Sequence, residues 1–139
     1  MQWERILMDN KTYLKSALRT NNPDEAGIHN RLVVPQDMSK RQSLDLLHAS
    51  MGLVTEAGEF QDMLKKHVYY GKELDTVNLK EEIGDILWYC AIALNALDSS
   101  FEEVMETNIN KLKARYPEKF TSDKAINRDL AKERKILEE

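Results

Sequence analysis

An all-α fold is predicted by three features of this sequence. Apolar residues recur at three- and four-residue spacing over long stretches, and only five Gly and three Pro interrupt 139 residues. Hydrophobic residues at 42% and charged residues at 32% suit packed helices better than a turn-rich sheet protein or a disordered chain. The length is one domain's worth, enough for a single core and too little for two. The expectation is one domain over residues 1–139, a four- to five-helix bundle whose central antiparallel pair carries acidic motifs. Its core spans about 40–120, preceded by an N-terminal helix and loop (1–39) and followed by a C-terminal helix (121–139).

Taken in order, Trp3, Ile6, Leu7, Tyr13, Leu14, Ala17 and Leu18 predict an amphipathic helix over about 2–19. Pro23, Gly27 and Pro35 with little periodicity predict a long surface connection over 20–38. From Ser39 an apolar stripe through Leu44, Leu47, Met51, Val54, Phe60, Met63 and Leu64 predicts a helix to about Lys66. Residues 67–78 contain Gly71 and a capping candidate, Asn78, and are expected to form the turn into the next helix. That helix, about 79–97, is apolar around most of its circumference from Ile83 to Leu97, as befits a central position. Ser99 with Glu102, or Ser100 with Glu103, supplies a capping box for a helix that ends before Pro117. Ser122 or Asp123 then caps a last helix, on which Ile126, Leu130 and Leu137 form a thin apolar strip.

The formal charge of -4 offers no long-range attraction to a nucleic-acid backbone, so no nucleic-acid partner is expected. The N-terminus lacks the apolar run and cleavage site of a signal peptide, and no stretch of about 18 apolar residues is present. A cytoplasmic location without membrane contact is the expectation. The single Cys90, inside the apolar run, can form neither an internal disulfide nor a thiolate metal site and is expected to be a small buried hydrophobe.

Against this background four acids are misplaced. Glu56-Ala57-Gly58-Glu59 and Glu82-Ile83-Gly84-Asp85 both have the form acid, two small or apolar residues, acid. Residues three apart share a helix face, so each string presents two carboxylates in one direction. Gly58 and Gly84 are expected to let the facing helices approach closely. Four converging carboxylates repel one another and lose hydration, and a divalent cation is the natural compensation. All-oxygen ligation suits Mg²⁺, with Mn²⁺ as a substitute, and the lack of paired Cys and His argues against structural zinc. A solvated surface pair is the commoner fate of any single Glu-x-x-Glu; two on adjacent helices, one in an apolar run, favour the metal.

Other residues fall on useful faces. His48 precedes Glu56 by eight positions and is placed to touch substrate or to be a satisfied core histidine. Tyr89 lies one turn after Asp85, where it can stack on a base or simply fill the core. Asn108, Lys111 and Arg115, with Tyr116 adjacent, form a row suited to phosphate oxygens or to a solvated helix end. Lys65, Lys66 and Lys72 are weaker candidates of the same kind.

The two acid motifs in this order, with residues 60–81 between them, are followed by Asn108-Ile109-Asn110-Lys111-Leu112-Lys113-Ala114-Arg115-Tyr116-Pro117. This arrangement, over about residues 40–120, resembles the MazG-like branch of the all-alpha nucleoside triphosphate pyrophosphohydrolases. The resemblance implies hydrolysis of a (d)NTP to (d)NMP and pyrophosphate in nucleotide-pool control. It implies Glu56, Glu59, Glu82 and Asp85 as magnesium ligands, with Glu59 nearest the attacking water. It also implies Lys111, Arg115 and Tyr116 as triphosphate contacts, Tyr89 near the base, and assembly as a homodimer or homotetramer. In such a site Mg²⁺ orients and acidifies water and neutralises phosphate charge. Residues before 40 and after 120 lie outside the resemblance, so dGTP, dCTP and dUTP all stay open. Two rivals belong to other classes. A di-iron carboxylate bundle wants Glu-x-x-His pairs, and none of His29, His48 and His67 lies three after a Glu. A non-catalytic helical interaction module does not need acids facing a core.

Overall fold

The computed structural model of the chain describes residues 10–33 and 37–138. Among these residues there are seven helices and no strand: α1 (Asn10–Arg19), α2 (Glu25–Val33), α3 (Lys40–Tyr70), α4 (Thr76–Ala96), α5 (Phe101–Arg115), α6 (Ser122–Ile126) and α7 (Leu130–Leu137). The fold is all-α, as the periodicity predicts, with more and shorter helices at its ends than four or five. Trp3, Ile6 and Leu7 of the expected first helix lie outside the described residues.

The differences have local causes. The connection expected over 20–38 contains α2, because Asp24 supplies its start: the Gly27 N–H donates to Asp24 Oδ1 at 2.9 Å and the Ile28 N–H to the Asp24 carbonyl at 2.9 Å. Gly27 is no helix breaker here, since a Cβ at that position would collide with the capping carboxylate. α3 starts behind a complete capping box, in which Ser39 Oγ accepts from the Gln42 N–H while Gln42 Oε1 accepts from the Ser39 N–H. It runs past Lys66 to Tyr70 and stops at Gly71, whose φ of 67° is left-handed and favours glycine. α4 begins at Thr76, because Asp75 rather than Asn78 caps it: Asp75 Oδ1 accepts from the Val77 and Asn78 N–H groups at 3.0 and 3.1 Å.

At α5 the cap is Ser100, which accepts from the Glu103 N–H, while Ser99 Oγ donates to the Glu103 carboxylate at 2.7 Å. The single helix expected after residue 121 is two helices. Thr121, not Ser122 or Asp123, caps α6, and a second acceptor side chain, Asp129, takes the Lys132 N–H at 3.0 Å and starts α7 afresh.

α3 and α4 form the central pair. As residue numbers rise along α3 their partners fall along α4: Gln42 meets Asp98 just past α4, His48 meets Tyr89, and Glu56 meets Glu82. The pair is therefore antiparallel, as expected. Its close approach is not where Gly58 and Gly84 were expected to permit it, since a Cβ at either would meet nothing within 4 Å. The approach occurs at Gly52, against which the Tyr89 ring packs so closely that a Cβ would overlap it. The other principal packings are α5 on α7 and α2 on α3.

Little apolar surface is closed off within the chain. Among the described residues Ala49 and Ala96 are the buried apolar ones, while Met51, Val54, Ile83, Leu87, Trp88, Met105 and Ile109 are all exposed. Cys90 is half-buried rather than buried. The accessible surface is 12120 Å², against about 7,400 Å² for a compact monomer of this mass. No helix among the described residues is long and apolar enough to cross a membrane.

Candidate active site

The acid motifs lie on facing stretches of α3 and α4, where the short connection 71–75 folds one helix back along the other. Glu56, Glu59 and Glu82 each offer a carboxylate oxygen, all within 4.8 Å of one another. Glu82 is buried, Glu56 half-buried and Glu59 exposed, so the group opens to solvent on the Glu59 side. Asp85 is exposed and outside this close trio, one turn along α4 from Glu82. Its charge nevertheless reaches the site.

The electrostatics follow from the geometry. Burial raises the Glu82 carboxyl pKa above its usual value, and the charges of Glu59 and Glu56, a hydrogen bond to Glu56 and the charge of Asp85 raise it further. The only relief available within the trio is protonation, and a cation on the same oxygens would supply the alternative. Three oxygen donors from two helices, one of them withdrawn from water, fit a hard divalent cation that keeps some of its water ligands. The donor set contains no sulfur or nitrogen, which disfavours softer metals.

Beyond the acids, along the same helix pair, is an aromatic group. The His48 ring meets Tyr89 and Trp88 edge-on, with centroids 5.5 and 6.3 Å away, and Trp88 meets Tyr89 at 4.9 Å. His48 and Trp88, with Arg41, Asp45, Ile92 and Asn95, border an open recess of about 460 Å³. Asp45 is held by Arg41 Nε, which donates to it at 2.8 Å. Sequence reasoning placed His48 and Tyr89 on this face but passed over Trp88. Its position three after Asp85 was the available signal, hidden because an aromatic in an apolar run reads as core.

The basic row on α5 is differently engaged. Asn108 is exposed, and Lys111 is half-buried one turn before Arg115. Arg115 is no solvated helix end: Nε and Nη2 donate to the two carboxylate oxygens of Glu133 on α7, at 2.8 and 2.6 Å. Arg128 donates to the same carboxylate at 2.6 Å. The Arg115 guanidinium also faces the Tyr116 ring at 5.7 Å, and that ring packs at 5.4 Å on Phe120. The two arginines hold the buried Glu133 carboxyl well below the ordinary 4.5, at about 2, against the opposing effect of burial. Glu133 and Arg128 were missed by the sequence reading, because nothing local in the charged tail marks an ion pair across 18 residues. Of the weaker candidates, Lys65 and Lys66 both pair with Asp62.

Comparison with known proteins bears on the same stretch. The chain is 38% identical over 77 residues to the Gene 37 protein of Mycobacterium phage L5, a match covering 50% of this chain and 65% of the phage protein. The chain thus spans just under two thirds of that relative's length, and no solved structure gives a significant match. Residues 46–120, which hold both acid motifs and the basic row, match the MazG nucleotide pyrophosphohydrolase domain. With more than half of its length inside that domain, the chain belongs to the MazG nucleotide pyrophosphohydrolase family.

Proposed function

We propose that this protein hydrolyses a (deoxy)nucleoside triphosphate to the monophosphate and pyrophosphate, with Mg²⁺ held by Glu56, Glu59 and Glu82 and reached from the edge by Asp85. The observation that carries the reading is the meeting of three carboxylates from two helices within 4.8 Å, one of them buried. A bound Mg²⁺ supplies a Lewis acid for the phosphates and lowers the pKa of water. The protein's own groups do the rest. Glu82, the buried acid, anchors the trio from α4; Glu56 shares a hydrogen bond with it. Glu59, open to solvent, is positioned to accept a proton from the attacking water. Lys111, Arg115 and Tyr116, with Asn108 one turn earlier, bind the triphosphate chain. The recess bordered by His48 and Trp88 is the space for the base, with Tyr89 packed against both rings.

Family membership supports a hydrolase acting on a phosphoanhydride; the identity of the metal, the substrate and a role in the cytoplasmic nucleotide pool are the finer parts of this proposal. A panel of ribo- and deoxyribonucleoside triphosphates with Mg²⁺ tests it. Monophosphate and pyrophosphate are expected in equal amounts, with turnover abolished by EDTA. Diphosphate and inorganic phosphate as products would assign a different reaction.

The same proposal includes assembly as a homodimer or homotetramer. The exposed apolar side chains of α3, α4 and α5, and a surface well above that of a compact monomer, support it. Light scattering at micromolar concentration is expected to give two or four chains per particle. An active monomer would refute this part.

A further inference from the structure

The C-terminal helix α7 lies outside the residues that match the family domain, yet it contributes the most strongly bonded side chain among the described residues. Glu133 is 5% exposed and takes both Arg115 and Arg128. The contact with Arg115 is side-on: Nε and Nη2 point at Glu133 and fix the plane of the guanidinium, Tyr116 is a further side-chain partner, and the Nη1 edge is not used by the carboxylate. A guanidinium has five donors in a rigid fork, so one edge can be anchored while another is offered to a phosphate. Arg115 also borders a recess of about 290 Å³ among α5, α6 and α7, whose wall includes Lys124, Asn127 and Lys132 together with the acids Asp129 and Glu133. Arg128 matters to the balance. With two arginines on one carboxylate, the trio keeps a net positive charge when Glu133 is ionised.

We propose that Glu133 is a positioning residue: through its side-on fork it aims Arg115 at the phosphate chain of the substrate, so that α7 supports a binding group carried by α5. The inference rests on the triphosphate role of Arg115 proposed above. An unanchored arginine would have to be ordered by each arriving substrate, and that ordering weakens binding. Glu133 touches no substrate in this scheme. Its effect passes entirely through Arg115.

That dependence gives the test. The dissociation constant of inorganic tripolyphosphate with Mg²⁺ is measured by calorimetry on the full chain as wild type, Glu133→Gln, Arg115→Ala and the double variant. Glu133→Gln is expected to weaken binding by ~10-fold, and to add nothing once Arg115 is gone, since residues acting as a unit are not additive. Equal losses in both backgrounds would assign Glu133 a general structural role, and tighter binding by Glu133→Gln would make the carboxylate a competitor of phosphate; either result overturns the proposal. Should Glu133→Gln fail to fold by circular dichroism, Glu133→Asp replaces it in the same cycle. It keeps the charge but shortens the reach, and its smaller loss must again vanish in the Arg115→Ala background. Nucleotide turnover by the wild type is scored separately. An inactive wild type that shows the cycle defeats the proposed reaction, and an active one without it defeats only the role of Glu133.

Discussion

Glu82 and Glu133 are the same residue type at almost the same exposure, 9% and 5%, in opposite surroundings. Glu82 faces Glu56 and Glu59, with Asp85 near, and its pKa is pushed up. Glu133 is gripped by Arg115 and Arg128, and its pKa falls to about 2. Burial costs both carboxylates hydration, but among the described residues only Glu133 finds cationic partners. The difference teaches that burial of an acid does not mark a reactive site by itself; the sign of its neighbours does. The α5–α7 end meets its buried acid with cations of its own, whereas the α3–α4 end carries a deficit that a cation from outside would fill.

The comparison breaks most visibly at the acids. Changing Glu56, Glu59, Glu82 and Asp85 singly to the amide is expected to lower turnover by at least ~100-fold each, because each change removes a negative charge and a strong oxygen ligand. Glu81 and Glu103, treated alike, are the controls. Full activity in Glu59→Gln and Asp85→Asn, with an unaltered response to Mg²⁺, would remove the support for a metal site.

A smaller effect, on stability, should have opposite sign at the two buried glutamates. In metal-free buffer at neutral pH, Glu82→Gln is expected to melt higher than wild type, since one of several crowded charges is gone. Added Mg²⁺ should stabilise wild type and do little for that variant, by linkage of binding to folding. Glu133→Gln should melt lower. The pH dependences follow from the directions of the shifts. The Glu133 pKa is depressed in the folded protein, so its contribution is complete above the ordinary 4.5 and is lost as pH falls toward about 2. The gap between wild type and Glu133→Gln should close over that window. The Glu82 pKa is raised, so its favourable, protonated form prevails at low pH and is lost as pH rises through the folded value. The advantage of Glu82→Gln should therefore fade on acidification toward 4.5. Melting curves of both variants that shift in the same direction at neutral pH would show that the two sites are not opposites.

Much of this contrast was legible in one half of the sequence and not in the other. Paired acids three apart on two helices separated by a turn can be read directly, because helix periodicity fixes which side chains share a face. The central pair and its antiparallel sense follow from that, and so does the facing of Glu56, Glu59 and Glu82; Asp85, expected as a fourth converging acid, stands outside the close group. The exact turn did not follow at Asp75, Thr121 and Asp129, and at α5 the sequence left Ser99 and Ser100 both open: all are acceptor residues with plausible neighbours, and which one caps depends on backbone geometry that periodicity does not encode. The role of the glycines was misplaced for a related reason. Gly58 and Gly84 flank the acids in sequence, but the side chain that needs room is the Tyr89 ring, and it reaches Gly52. The Arg115–Glu133 pair was invisible because it joins a helix with a clear pattern to a tail without one.

The connection of residues 71–75 between α3 and α4 has a kinetic consequence. Closing it brings together side chains that are 26 positions apart at Glu56 and Glu82, and the entropy of closing loops grows only slowly with length. Contacts of this kind form early, because little chain has to be ordered before they reward it. The α5–α7 clasp is shorter still in range, at 18 residues from Arg115 to Glu133. Among the described residues the principal packings join α3 to α4 and α5 to α7 without joining the two pairs to each other. Segments that share few contacts need not open together. The acid cluster can then assemble during synthesis, before the residues that would hold the triphosphate have been made.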